Sequence, residues 1–288
     1  MPAARPELVA IGDNCLDVYL TKAALTVGGC ALNVAAHWRK AGWPARYFGA
    51  VGDDAEAAIM LDEIAKAGLS PADVERRPGQ TAVTLVGEEA GERKFLLEDL
   101  GVGKDYMPAE GLYQTIAAAD WVHLGLNSNP DLVRRLISDG VAFSVDLSTA
   151  PDSLPLQGVP MVFASGPDDP DAPVAPLAEQ LHRAGAREVV VTCGRSGAYF
   201  REREGTLLHA PAKPVTVVDT CGAGDSFIAA FLAALIVQKG PAPEALRAAT
   251  AAASETCRHV GGFPQTPHAI PDWLLGKYAA VIEPAGRV

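Results

Sequence analysis

The chain has 288 residues, of which 49% are hydrophobic, and it carries a formal net charge of −11 with a pI near 5.0. This length and apolar content are sufficient for one large α/β domain with a substantial core. The negative charge argues against nonspecific binding to nucleic acid or to an anionic membrane, so we expect neither partner.

The location expected for the protein is the cytoplasm. The N-terminal residues lack an apolar core of signal-peptide length, and no apolar run is long enough to span a bilayer. The five cysteines are scattered along the chain without a CxxC pair, which is typical of reduced thiols rather than of a disulfide framework or a zinc site.

The first part of the chain alternates short apolar runs with segments of helical periodicity. Strands are predicted at Leu8–Ile11, 16–20 and Ala45–Val51, and helices at 31–41 and 55–67, each helix ending at a glycine. Residues 81–86 and 93–97 are strand-like and flank a turn rich in Gly and Glu, which predicts a hairpin.

The rest of the chain continues the alternation. The predicted strands are Trp121–Leu124, 142–146, 161–164, Glu188–Thr192 and 215–218, with a hairpin around 197–210, and the predicted helices are 174–184, 223–238, 243–259 and 272–282. This order predicts an α/β fold with a doubly wound, mostly parallel sheet flanked by helices. The 81–97 hairpin interrupts the order. We therefore expect a single domain, 1–288, with a small β-lid built from residues 16–27 and 80–106.

The segment 218–232, VDTCGAGDSFIAAFL, contains the strongest chemical pattern. Gly222 and Gly224 surround Ala223 at the start of an apolar helix, so the backbone can approach a ligand closely. Unpaired N–H groups and the helix dipole make this turn an anion site. Asp225 lies in the same turn, and a base beside an anion site is what phosphoryl transfer needs. The alternative is a plain strand–turn–helix in which Asp225 only complements the dipole.

Polar side chains also follow the first predicted strand. Asp13, Asn14 and Asp17 lie in the string IGDNCLDVY. Ligands of open α/β sheets bind at the carboxyl ends of the strands, where these residues fall. The alternative is that Asn and Asp simply form the turn.

Several strings resemble the PfkB/ribokinase-like carbohydrate kinases. DTCGAGDSF, at 219–227, is similar to the second signature of that family, and GGCALNVA, at 28–35, followed by GAVGDD, at 49–54, is similar to the first. The resemblance covers nearly the whole chain, with both signatures in order. It implies a ribokinase-like fold and ATP-dependent phosphorylation of a sugar hydroxyl, with Mg²⁺ as a cofactor and K⁺ as a further candidate.

The resemblance also implies roles for individual residues. Asp225 would be the catalytic base, and the backbone at Gly222, Ala223 and Gly224 would stabilise the transferred phosphoryl group. The sugar would contact Asp13, Asn14, Asp17, Gly28, Gly29 and Asn33; the nucleotide would contact Thr192, Gly194, Gly222 and Gly224; Asp168 would serve Mg²⁺ and Asp219 a monovalent cation.

Two positions depart from the family pattern. Cys30 stands where many relatives carry Lys, so one sugar contact differs. The segment 165–168, SGPD, occupies the place of an NxxE motif tied to Mg²⁺ and phosphate binding, which leaves a solvated acidic loop as the alternative for Asp168.

The strings GDNCLDVY and DTCGAGDSFIAAFL resemble the fructoselysine and fructosamine 6-kinases more than the ribokinases or fructokinases. The implied substrate is a small sugar, through the 6-hydroxyl of a fructosamine. The alternatives are a kinase for fructose, ribose or a nucleoside, and a non-catalytic sugar sensor. The loop 95–106 holds Glu98, Asp99 and Lys104. The acidic residues could pair with the ammonium of an amino-acid tail, and Lys104 or Arg93 with its carboxylate; a solvated charged loop is the alternative. A homodimer through the lid is a further expectation.

Overall fold

The computed structural model describes residues 6–89, 92–167, 169, 171–202 and 205–285, without the side chains of residues 89, 92, 93 and 285. Its strands are β1 Leu8–Ile11, β2 Cys15–Tyr19, β3 Ala24–Gly28, β4 Ala45–Val51, β5 Val74–Arg76, β6 Val83–Glu89, β7 Glu92–Asp99, β8 Trp121–Leu124, β9 Phe143–Asp146, β10 Met161–Ser165, β11 Glu188–Thr192, β12 Ala198–Arg201, β13 Leu208–Ala210 and β14 His268–Ala269. Its helices are α1 Cys30–Lys40, α2 Ala55–Lys66, α3 Glu110–Ala117, α4 Pro130–Ser138, α5 Ala175–Arg183, α6 Ala223–Leu232, α7 Ala242–Thr256, α8 Asp272–Lys277 and α9 Ala279–Ala285.

The central sheet has nine strands in the order β13-β12-β11-β10-β9-β8-β1-β4-β5. The seven strands from β11 to β5 in this spatial order all pair in parallel with their neighbours. Strands β12 and β13 add antiparallel pairing at the other edge. One hydrophobic core contains residues of α1, α2, α6 and α7, and another contains residues of α3, α4 and α5. The sheet is therefore covered on both faces, as the alternation of strands and helices predicted.

A second sheet of five strands has the order β14-β3-β2-β6-β7. Strands β6 and β7 form the predicted antiparallel hairpin, and β2 joins it in parallel through β6. Four of the five strands come from the two segments predicted to form the lid, and β14 arrives from near the C-terminal end of the chain. Whether this sheet closes over a ligand stays a prediction.

Several predicted elements differ in the structure. Residues 215–218 do not form a strand: Val217 and Val218 are 56% and 52% exposed, and the Val218 N–H donates to the carbonyl of Cys257 rather than to a sheet. The predicted helix 223–238 is α-helical only to Leu232 and continues as a π-helical turn, Ala233–Val237. The predicted helix 272–282 breaks at Tyr278 into α8 and α9. The elements β3, β5, α3, α4 and β14 had no prediction of their own.

Candidate active site

Two cavities meet at the carboxyl edge of the central sheet. The larger, of about 750 Å³, lies at the ends of β1, β8, β9 and β10 and is covered by residues of β2, β6 and β7. The smaller, of about 470 Å³, lies between the N-terminal part of α6, helix α7 and the turn after β11. Thr192, Thr220 and Gly224 line both. We name them after the ligands that the sequence resemblance implies: the larger is the sugar cavity and the smaller the nucleotide cavity.

The turn that starts α6 separates the two cavities. Gly222 is the N-cap residue of α6 and adopts a left-handed conformation with φ of 71°. A Cβ atom at this position would collide with the backbone of Gly262, so only glycine fits the turn. Gly224 has open space where a Cβ would lie. The Ala223 N–H donates to the carbonyl of Thr220 at 3.3 Å. Gly222 lines the sugar cavity, Ala223 the nucleotide cavity and Gly224 both, so the first turn of α6 lies at the boundary of the two cavities.

Asp225 lies in this first turn and faces the sugar cavity. The side chain is only 6% exposed, and one carboxylate oxygen accepts a hydrogen bond of 2.7 Å from Nδ2 of Asn33 on α1. Burial raises the pKa of Asp225 to about 8, with further contributions from the negative charges of Asp146 and Asp13. A carboxyl group with a pKa near neutrality is suited to take up and release a proton.

Asp13 follows β1 and holds the start of α1. Its two carboxylate oxygens accept hydrogen bonds from the N–H groups of Cys30, at 2.7 Å, and Ala31, at 3.1 Å. The pKa of Asp13 is nevertheless raised, because burial outweighs these bonds. A Cβ on Gly29, the residue before α1, would strike the backbone of Asn14, so the loop after β1 and the turn before α1 pack without space between them.

Asn14 lies beside Asp13 and is 2% exposed. Its Nδ2 donates to the hydroxyl of Tyr47, at 2.9 Å, and to the carbonyl of Ala50, at 2.8 Å. Its Oδ1 has no hydrogen-bond partner among the described residues, and neither has Oδ1 of Asn33. Both residues line the sugar cavity. A buried amide oxygen without a partner is costly, and a ligand hydroxyl would relieve that cost.

The second sheet supplies the outer wall of the sugar cavity. Asp17 of β2, Thr84 of β6 and Glu98 of β7 line it, and Lys104 lines it from the loop after β7. Asp99 instead accepts a hydrogen bond of 2.9 Å from the N–H of Gly101 and stabilises the turn there. Of the four charged residues predicted for a ligand tail, two therefore reach the cavity lining; the side chain of Arg93 lies outside the described residues.

The nucleotide cavity has a different character. Its wall includes Phe227 of α6 and the valines 215 and 217, and two cations, Arg195 and Lys213, lie at its lining. Gly194, which adopts φ of 47° at the turn after β11, also lines it. An apolar wall with cations beside a helix N-terminus suits a ligand that joins a flat ring to phosphates.

Asp219 precedes the α6 turn and is 7% exposed. It accepts hydrogen bonds from the Tyr19 hydroxyl at 3.0 Å, from the Gly261 N–H at 3.2 Å and from the Cys221 N–H at 3.0 Å. The carboxylate thus connects β2 of the second sheet, the loop after α7 and the α6 turn. The predicted role of Asp219 with a monovalent cation is not tested by these contacts.

Most of the predicted site residues lie together. Those at the sugar cavity are Asp13, Asn14, Asp17, Gly29, Asn33, Thr192, Gly222, Gly224 and Asp225; those at the nucleotide cavity are Gly194, Ala223 and again Thr192 and Gly224. Gly28 is not among the described residues of either lining, and a Cβ there would press on Oδ2 of Asp17 at 2.8 Å. Asp168 lies outside the described residues.

The sequence reasoning missed Asp146. This residue ends β9, lines the sugar cavity, and has a pKa raised to about 6 by burial and by the charge of Asp13. Its position at the carboxyl end of a parallel strand is the same signal that identified Asp13, so the same rule could have found it.

Comparisons with known proteins agree with this architecture. The family model described as pfkB family carbohydrate kinase matches residues 7–135 and 162–269. The fructosamine kinase FrlD of Bacillus subtilis (strain 168) is 32% identical over 265 residues, which are 89% of this chain and 93% of that protein. The fructoselysine 6-kinase of Escherichia coli (strain K12) is 33% identical over 261 residues, 89% of this chain and 99% of that protein.

Solved structures show the same fold. The ribokinase of Arabidopsis thaliana, complexed with ribose and ATP, superposes with a TM-score of 0.79 at 20% identity over 97% of this chain and 98% of its own. Among the described residues, no helix combines the length and the apolar character needed to cross a bilayer. The expected ribokinase-like fold is confirmed, and the chain belongs to the pfkB family of carbohydrate kinases.

Proposed function

We propose that the protein is an ATP-dependent kinase that phosphorylates the 6-hydroxyl of a fructosamine such as fructoselysine. The observation that carries this proposal is the position of Asp225: it faces the sugar cavity from the helical turn that also borders the nucleotide cavity. A carboxylate there can reach a sugar hydroxyl on one side while phosphates approach the same turn from the other.

Asp225 acts as the general base. The Asn33 side chain holds the carboxylate by its 2.7 Å hydrogen bond, so the oxygen lies in one position when the sugar enters. As the hydroxyl oxygen attacks the γ-phosphorus, its proton passes to Asp225, the bond from that phosphorus to the bridging oxygen breaks, and ADP leaves with the bridging oxygen. The unpartnered Oδ1 atoms of Asn14 and Asn33 accept hydrogen bonds from other sugar hydroxyls.

The nucleotide side supplies electrostatic stabilisation. We assign the phosphates to the first turn of α6 beside Gly222 and Gly224, with Thr192 and Gly194 on the other wall. Arg195 and Lys213 balance the charge of ATP, which the acidic sugar cavity would repel.

Magnesium is proposed as the partner of ATP. Among the described residues, the one group of side chains that could hold a metal combines the carboxylates of Asp146 and Asp225 with the thiol of Cys30. Mg²⁺ requires oxygen ligands, so we assign it to the phosphates and water rather than to this group. Bound to the phosphates, Mg²⁺ would neutralise charge on the transferred group. A role of K⁺ near Asp219 is also a proposal, tested by comparing activity in potassium and sodium salts.

The amino-acid tail of a fructosamine distinguishes it from a plain hexose. Glu98 and Lys104 both line the outer part of the sugar cavity. A carboxylate there can pair with the ammonium that joins sugar and amino acid, and a lysine with the carboxylate of the tail. The curated relatives named for fructosamine and fructoselysine, at 32% and 33% identity, support this choice over ribose or fructose.

The test is a side-by-side kinetic comparison of fructoselysine, fructose, ribose and a nucleoside. Binding energy from the tail can be used in the transition state, so kcat/KM for fructoselysine should exceed that for fructose at least about tenfold. Equal or better use of fructose or ribose would contradict the fructosamine assignment and leave the carbohydrate kinase assignment in place.

A matched pair of variants localises the tail. Glu98→Gln should lower kcat/KM for fructoselysine by roughly tenfold, the order expected for a lost charged hydrogen bond, and leave kcat/KM for fructose within about twofold. Glu88→Gln changes an exposed carboxylate on the neighbouring strand β6 and should alter neither value. A parallel loss for both sugars in Glu98→Gln would refute the tail assignment.

A homodimer through the second sheet is a further proposal. Strand β7 lies at the edge of that sheet, and Phe95 on this strand is 48% exposed. An edge strand with an exposed aromatic residue can pair with a second copy. Sedimentation of the wild type and of Phe95→Asp would test this: a dimer that dissociates in the variant supports the proposal, and a monomeric wild type ends it.

A further inference from the structure

A thiol and two carboxylates converge at the bottom of the sugar cavity. The ligand-type atoms of Cys30, Asp146 and Asp225 all lie within 4.8 Å of one another. The three residues come from separate elements: Cys30 begins α1, Asp146 ends β9 and Asp225 lies in the first turn of α6. All three line the cavity, so an ion entering from solvent can reach them.

The backbone around the thiol is fixed. Cys30 donates its N–H to a carboxylate oxygen of Asp13 at 2.7 Å, and Gly29 packs directly on the Asn14 backbone. Cys30 therefore cannot move away without disturbing the loop after β1. The position of the thiol among the carboxylates is thus part of the fold.

We propose that Cys30, Asp146 and Asp225 form a binding site for Zn²⁺, and that zinc bound there inhibits the kinase. Zinc takes one thiolate and carboxylate oxygens in tetrahedral sites, at about 2.3 Å to sulfur and about 2.0–2.2 Å to oxygen. The three ligand atoms already lie within 4.8 Å of one another, and we expect side-chain rotations to bring them to these distances from a common centre. The fourth position faces the cavity and takes water.

The donor set and its surroundings select the ion. A thiolate favours zinc and other borderline or soft metals, whereas Mg²⁺ keeps to oxygen ligands. Five carboxylates line the cavity, at Asp13, Asp17, Glu98, Asp146 and Asp225, and Lys104 is the one cationic residue among its described lining. The site therefore attracts a divalent cation. Binding converts the Cys30 thiol to a thiolate, and the displaced proton leaves to solvent.

The inhibitory part rests on the proposed function. Once a carboxylate oxygen of Asp225 is bound to zinc, it no longer accepts the proton of the substrate hydroxyl. The ion and its water also occupy the space that this hydroxyl needs. Zinc should therefore compete with the sugar and leave the KM for ATP unchanged.

The metal site itself is tested without substrate. Metal-free, reduced protein is titrated with Co²⁺, and the thiolate-to-cobalt charge-transfer band in the near ultraviolet is recorded; Zn²⁺ should then displace cobalt at one equivalent and remove the band. Cys30→Ala should abolish the band and weaken zinc binding at least about tenfold, because even loss of an outer partner of a metal ligand costs 10–100-fold.

Two further variants complete the test. Cys15→Ser changes a thiol that lines the same cavity but bonds to Thr84, outside the cluster, and should bind cobalt and zinc as the wild type does. Asp146→Asn keeps the thiol, and with it the band, but should weaken zinc binding at least about tenfold; it also serves if Cys30→Ala does not fold. Absence of the band in the wild type, or a band that persists in Cys30→Ala, would overturn the proposal.

Kinetics separate this inference from the proposed function. With any sugar that is turned over, zinc inhibition should weaken at least about tenfold in Cys30→Ala relative to the wild type. Equal inhibition of both proteins would overturn the inhibitory role. A wild type that binds cobalt through the thiol but phosphorylates no sugar would instead contradict the proposed function and leave the metal site standing.

Discussion

The two cavities that meet at the start of α6 have different linings, and each lining suits a different kind of ligand. The sugar cavity is lined by carboxylates and amides whose side chains come from both sheets. The nucleotide cavity has a largely apolar wall with two cations and glycine turns. Polar side chains place hydrogen-bonding atoms at fixed positions and can therefore distinguish individual hydroxyls. Backbone amides and apolar surfaces instead accept any nucleotide of the right shape. If sugar and nucleotide bind as proposed, substitutions in the sugar cavity alone should change the preferred acceptor.

The largest effect is expected from substitution of Asp225, which faces the sugar cavity at the boundary between the two cavities. Asp225→Asn removes the proposed base and should lower kcat by about 10²–10⁴-fold. The fold should persist, because Asn is nearly isosteric and can keep a bond to Asn33. Turnover assays together with calorimetric titration of fructoselysine check this: retained sugar binding with lost turnover is expected, and near-normal kcat would refute the base assignment.

The melting temperature of Asp225→Asn gives an independent check. Since burial raises the pKa of Asp225 to about 8, the folded protein holds a proton that the unfolded chain releases above about pH 4. The contribution of Asp225 to the free energy of unfolding therefore falls as pH rises from about 4 toward 8. The variant lacks this loss, so at pH 8 it should melt on the order of 2–6 °C above the wild type.

A methyl group at the shared boundary should affect both cavities. Gly224→Ala places a Cβ in open space between them, where the transferring group would pass. Misplacement of reactants by about 1 Å can cost about 10²-fold, so we expect kcat to fall by roughly 10–100-fold without loss of stability. Gly111→Ala is the matched control, because Gly111 is also the second residue of a helix with open space around it. Normal activity in Gly224→Ala would show that the boundary lies elsewhere.

The pH dependence of kcat/KM tests how burial and neighbouring charges act on Asp225. A base must be deprotonated to act, so kcat/KM should rise with pH through about 8. Burial is the main cause of the raised pKa, and the charge of Asp146 adds to it. Asp146→Asn should therefore move the rising limb to lower pH by on the order of 0.5–1 unit. A limb that stays in place or moves to higher pH would refute this coupling.

The smallest effect concerns the second sheet. If it is a lid, saturating sugar should slow amide hydrogen exchange in β6 and β7 by ordering them over the cavity. The central strands β1 and β8 are already buried and should show no change. If the exchange rates in β6 and β7 are the same with and without sugar, the second sheet is not a lid.

The central sheet could be predicted because its strands are short, continuous apolar runs separated by helical periodicity. Leu8–Ile11 is an example, with every residue buried. The strand predicted at 215–218 was wrong: Val215 and Val217 line the nucleotide cavity, and Val218 is half exposed. A local pattern identifies apolar residues but not which surface they cover.

The candidate site shows the same limit. Asp13 could be predicted because it follows the strand β1, and Asp225 because it lies in the first turn of α6 after a glycine-rich turn. The contact between Asn33 and Asp225 joins residues 192 positions apart. The grouping of Cys30 with Asp146 brings together the start of α1 and the end of β9. Such proximities come from tertiary packing, which periodicity does not encode.

The central claim is that the 6-hydroxyl of a fructosamine meets Asp225. One competition experiment tests it most directly: equal fructoselysine and fructose, limiting ATP, and ¹H–³¹P correlation spectroscopy of the products. We expect phosphate on C6 of fructoselysine, in at least about tenfold excess over fructose phosphate. Phosphate on another carbon of fructoselysine, or an equal or larger share of fructose phosphate, would contradict it.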